Sequence, residues 1–78
     1  MISFDSYVED KFFNYRAVAV IWVDEEKSRL DSEWTSKEDA EEQSKEFLTY
    51  FESINSRGTE YALKTFKEIV REFKIGGE

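Results

Sequence analysis

Tyr15-Arg16-Ala17-Val18-Ala19-Val20-Ile21-Trp22-Val23 decides the fold, because its β-branched and aromatic content is the strongest strand signal in the chain. Alternation puts Tyr15, Ala17, Ala19, Ile21 and Val23 on one face and Val18, Val20 and Trp22 on the other. Both faces are apolar, so both need cover, whereas a simple two-layer domain covers one. The sequence offers two sources of cover for the second face. One is the N-terminal segment, with Phe4, Tyr7, Val8, Phe12 and Phe13; the other is a second chain seated around Val18, Val20 and Trp22.

Downstream, Asp24-Glu25-Glu26-Lys27 reads as a polar turn, and Ser28 to Trp34 as a second strand. That strand sets Leu30 and Trp34 on one face and Arg29, Asp31 and Glu33 on the other. The two strands make an antiparallel β-hairpin over about 15–34. Upstream, Phe4, Tyr7, Val8 and Phe12 fall at helical spacing behind Ser3, while Ile2, Phe4, Ser6 and Val8 alternate as in a strand. The segment is therefore a short N-terminal helix or an edge strand.

Beyond the hairpin the period changes to that of helices. Over about 36–55, Ala40, Ser44, Phe47, Leu48, Phe51 and Ile54 form an apolar stripe, with Glu38, Glu41, Glu42, Lys45, Glu46 and Glu52 largely off it. Thr35 or Ser36 caps this helix; Thr35 has Glu38 at the capping-box distance, and Asp39 adds negative charge to the first turn. Gly58 suits a left-handed stop near its end. A second helix over about 59–74 carries Ala62, Phe66, Ile69, Val70 and Phe73 inward, with Lys74, Gly76 and Gly77 as its stop. The short connection predicts an antiparallel helix pair. The expected class is α+β: a small antiparallel sheet packed by two C-terminal helices, as one domain over 1–78.

Seven Phe, four Tyr and two Trp supply enough large side chains for so short a chain to build a core. No Cys or His is present, so neither a disulfide nor a zinc site can brace it, and a reducing, cytoplasmic setting is expected. The start of the chain shows no export signal, and the apolar run from Ala17 to Val23 is far short of the roughly 20 residues of a membrane span.

The same absences narrow the chemistry. Without His or Cys the usual nucleophile–base pairs cannot form. Carboxylate pairs need a cleft of fixed width, for which this chain has little room. Asp24 to Thr35 fails as a calcium loop, with Arg29 where Gly is required and Thr35 where Glu is required. Three glycines, at 58, 76 and 77, build no phosphate-cradling loop. No enzyme activity, cofactor or metal is expected.

Charge is the feature that stands out. Residues 1–56 hold 14 acids and 6 bases, net −8, and residues 57–78 hold 4 acids and 5 bases, net +1. In the last helix Glu60, Glu68 and Glu72 offset Lys64, Lys67, Arg71 and Lys74, so no basic face for nucleic acid or membrane results. Asp24, Glu25 and Glu26 at the hairpin tip, Asp31 and Glu33 on the second strand, and Glu38, Glu41 and Glu42 on the helix are expected to join into one negative surface. Trp22 or Trp34 would serve as its aromatic anchor. Such a surface repels nucleic acid and suits the basic surface of a larger protein, such as a nucleic-acid-handling enzyme. In size, acidity and lack of catalytic groups the chain resembles in kind the phage-encoded inhibitors of host defence or host enzymes, nucleic-acid mimics among them. That likeness implies a non-enzymatic module that regulates or inhibits a larger protein. The alternative is a structural subunit or homodimer joined through the apolar sheet face.

Overall fold

A computed structural model describes residues 2–73. Within them the chain forms β1 (Ile2–Asp10), β2 (Tyr15–Val23), β3 (Glu26–Trp34), α1 (Lys37–Asn55) and α2 (Thr59–Glu72). The strands make an antiparallel meander in the order β1-β2-β3, with β2 central, and the two helices follow. This is the α+β class expected.

The N-terminal segment is a strand, not a helix. Its alternation wins because Ile2, Phe4, Ser6 and Val8 register against Val23, Ile21, Ala19 and Ala17 and complete the inner face of the sheet. The hairpin turn is tighter than the polar run suggested. Val23 pairs with Glu26, leaving Asp24 and Glu25 as a two-residue turn, and β3 begins at Glu26 rather than Ser28. Asp24 takes a φ of 56°, a left-handed conformation that Asp tolerates better than most residues.

Ser36, not Thr35, caps α1: its hydroxyl accepts a hydrogen bond from the Asp39 backbone N–H. Helix α1 then starts at Lys37, one residue later than the stripe implied. Gly58, at φ 115°, carries the chain from α1 into α2 in a conformation that L side chains rarely adopt. Helix α2 closes at Glu72, with the Phe73 N–H bonded to the Ile69 carbonyl. The expected stop at Lys74, Gly76 and Gly77 lies outside the described residues.

The core lies between the helices and the inner face of the sheet. Phe4 of β1, Phe51 of α1 and Phe66 of α2 meet with ring centroids 5.6, 5.7 and 5.9 Å apart, so one aromatic cluster ties three elements together. Ile21, Val23, Ile54 and Val70 fill the space around it. Small residues in the facing elements, Ala17 and Ala19 on β2 and Ala40 on α1, are fully buried. Where β1 meets α1, the Ser6 hydroxyl donates to the Val18 carbonyl at 2.9 Å and shares a 2.8 Å hydrogen bond with the Ser44 hydroxyl.

Among the described residues no helix covers the outer face of the sheet, yet Val18 and Val20 are only 0% and 5% exposed. Of the N-terminal residues expected to cover it, only Tyr7 lies on this face; Phe4 and Val8 turn inward, and Phe12 and Phe13 leave the sheet altogether. Long charged side chains supply the rest of the cover. Arg29 stands opposite Val20, and its guanidinium reaches Glu9, which stands opposite Arg16, so the arginine crosses over Val18. It also bonds Asp31 at 3.3 Å, while Arg16 bonds Glu33 at 2.9 Å. The aliphatic stems seal the valines while the charged heads remain near water. Burial pulls the Arg29 pKa down, but the Asp31 and Glu9 carboxylates outweigh it and raise the value above that of a free arginine.

A candidate protein-binding surface

The residues expected to form one acidic surface fall into three groups. At one end of the sheet, Asp24, Glu25 and Glu26 line a hollow with Val23 and with Lys67 and Arg71 of α2. Their charge is therefore met by bases, as the net balance of the last helix could not reveal. On the outer sheet face, Asp31 and Glu33 are held by Arg29 and Arg16, and Lys27 lies 5.4 Å from the ring centre of Trp22. At the far end, Glu38, Glu41 and Glu42 stand exposed on the first turns of α1. Trp34 belongs with this last group, since it shares a shallow hollow with Asp39, Glu42, Gln43 and Glu46. The nine residues of β2 hold the hairpin tip roughly 25 Å from this end, so the acids lie in separate groups along the molecule rather than in one cluster.

What the structure adds at the α1 end is a pair of phenylalanines. The loop between β1 and β2 leaves the sheet at Asp10 and returns at Tyr15, which pairs with Trp34, three residues before α1 begins. A hydrogen bond from the Lys11 N–H to the Asn14 carbonyl, 2.8 Å, closes the loop and turns Phe12 and Phe13 outward. They are 94% and 88% exposed, with ring centroids 5.1 Å apart. The sequence pattern puts Phe12 at helical spacing in a segment that also reads as a strand, and offers both rings as one of two covers for the sheet. The missed signal was their place between Lys11 and Asn14, in the polar bracket that separates two alternating runs.

Two adjacent aromatic rings in water are costly to keep unless they serve a contact. The charged residues at this end are Asp10 and Lys11 beside the rings, Lys37 at the start of α1, and Glu38, Asp39, Glu41 and Glu42 with Lys45 around its first turns, so acids outnumber bases. The arrangement is an apolar finger beside an acidic flank. Among the described residues, no group of three or more His, Cys, Asp or Glu side chains is placed to hold a metal ion. No helix among them is long and apolar enough to cross a membrane. The chain matches no family model, no curated protein and no solved structure.

Proposed function

We propose that this chain is a non-enzymatic binding module that regulates or inhibits a larger protein, seating Phe12 and Phe13 in an apolar pocket whose rim is basic. The observation that carries the reading is the pair of rings standing 94% and 88% exposed at the end of the molecule where Glu38, Glu41 and Glu42 are exposed. Aromatic anchors that bury fully on binding supply affinity, and surrounding opposite charges supply orientation and association rate. The absence of His and Cys supports a role without bond chemistry.

Nucleic-acid-handling proteins present basic surfaces of the required kind, and a cytoplasmic partner of that class is expected. Among the small acidic inhibitors that the chain resembles in kind, a local anchor suits it better than an extended array of phosphate-like charges. The acids divide between two ends and one sheet face, and those on the face and at the hairpin tip sit with bases.

Affinity capture from extracts of the native cells, run in parallel with the Glu41→Lys/Glu42→Lys variant, tests the proposal. Retention by the wild-type chain should fall steeply with added salt, and the double charge reversal should weaken it by about tenfold or more. Equal retention by both proteins at every salt concentration would rule the acidic flank out as a working surface.

A further inference from the structure

Strand β3 is an outer strand, and no strand among the described residues pairs with its free edge. Which of its backbone groups face outward follows from the register. The Lys11–Asn14 bond marks a hydrogen-bonded rung between β1 and β2, and bonded rungs alternate in an antiparallel pair. Even-numbered residues of β2 therefore bond to β1 and odd-numbered ones to β3. The β3 residues facing those odd-numbered positions are Glu26, Ser28, Leu30, Ser32 and Trp34. This leaves the N–H and C=O groups of Lys27, Arg29, Asp31 and Glu33 pointing away from the sheet.

Those four residues also carry a charge pattern that is its own complement: two positive, then two negative, symmetric about Leu30. In an antiparallel pair of β3 strands centred on Leu30, Lys27 faces Glu33 of the other copy and Arg29 faces Asp31, and each of these rungs is one in which the backbones exchange both hydrogen bonds. Sliding the register by one rung sets Arg29 against Arg29 or Asp31 against Asp31, and parallel pairing brings like charges together throughout. Arg29 and Asp31 already bond within the strand at 3.3 Å, so the two-fold axis turns two pairs into an alternating ring of four charges. On the helix side, half-buried Leu30 meets its own copy at a close rung. Ser28, whose buried hydroxyl has no partner within the described residues, faces Ser32. The β1 edge has no such property: its outer-face residues Ser3, Asp5, Tyr7 and Glu9 offer only negative charge.

We infer that the chain pairs with a second copy of itself through the antiparallel β3 edges, in register about Leu30, to form a continuous six-stranded sheet. The pairing leaves the Phe12–Phe13 loop uninvolved and stands independently of the partner-binding reading. Main-chain bonds dominate the contact and little apolar area is buried, so the dimer is of modest affinity.

Sedimentation of the full chain across a concentration series, with charge-swapped variants, is decisive. The wild-type chain should dimerise. Lys27→Glu alone and Glu33→Lys alone each oppose like charges twice per dimer, and each should raise the dissociation constant about tenfold or more. An equimolar mixture of the two single variants should restore the dimer, because each supplies the charge the other lacks; loss of fold cannot mimic that rescue. The chain has no native Cys, so Leu30→Cys should form a disulfide-linked dimer on oxidation while Lys64→Cys, on an exposed face of α2, should not. A wild-type chain that stays monomeric to about 0.5 mM, or a dimer indifferent to the charge swaps, would overturn the inference.

Discussion

Phenylalanine has opposite fates in two regions of this molecule. In the core, Phe4, Phe51 and Phe66 lie with their ring centroids within 6 Å of one another and tie β1, α1 and α2 together. In the β1–β2 loop, Phe12 and Phe13 touch chiefly each other. The same side chain stabilises the fold in the first place and has little to contribute to it in the second. The contrast separates residues that make the structure from residues available to a partner, and it can be broken or sharpened by substitution.

The largest effect is expected at the centre of the core. Phe66→Ala should cost about 3–5 kcal/mol, because the cavity lies between the sheet and both helices and cannot easily collapse. For so small a domain this is a large share of total stability, and urea denaturation followed by tryptophan fluorescence should show the chain largely or wholly unfolded. A loss under 1 kcal/mol would mean that the aromatic cluster does not hold the elements together.

A smaller effect is expected on the outer sheet face, where cover comes from side chains rather than from a layer. Arg29→Ala removes the stem over Val18 and leaves Glu9 without one of its arginines, and about 1 kcal/mol should be lost. Arg29→Met keeps an apolar stem and should retain part of that stability at high salt. If the two variants are equally destabilised at every ionic strength, the stem does not seal the valines and the charge alone matters.

The smallest effect on stability belongs to the loop. Phe12→Ser/Phe13→Ser should shift the unfolding free energy by no more than about 0.5 kcal/mol, since the rings bury almost nothing. The same variant should lose captured partner by about thirtyfold or more, in keeping with the truncation of a binding hot spot. A stability loss of several kcal/mol would instead place the rings in the fold.

How much of this was legible in the sequence follows from the range of the interactions concerned. Strands β2 and β3 and both helices declare themselves by local period: Val18 to Val23 through side-chain type, and Ala40 to Ile54 through spacing. Strand β1 satisfied two periods at once, and only its rungs against Ala17, Ala19 and Ile21 choose between them. The outer-face cover was not legible, because Glu9 and Arg29 are 20 residues apart and meet only through the register of three strands. The acidic residues were identified as charges but not as groups. Lys67 and Arg71 come to the hairpin tip through the path of α2, which no local pattern specifies. The apolar character of Phe12 and Phe13 offers them as one candidate cover for the second sheet face, and the four-residue, polar-bracketed loop is the clue to the contrary.

The most direct measurement replaces Phe12 with a photo-crosslinking phenylalanine analogue in the native cells and compares it with the same analogue at Glu68, an exposed position on α2. Position 12 is expected to give a discrete covalent adduct with another polypeptide, diminished at high salt, while position 68 gives none. Identical patterns at the two positions, or no adduct at position 12, would contradict the assignment of the phenylalanine loop as the partner-binding end of the molecule.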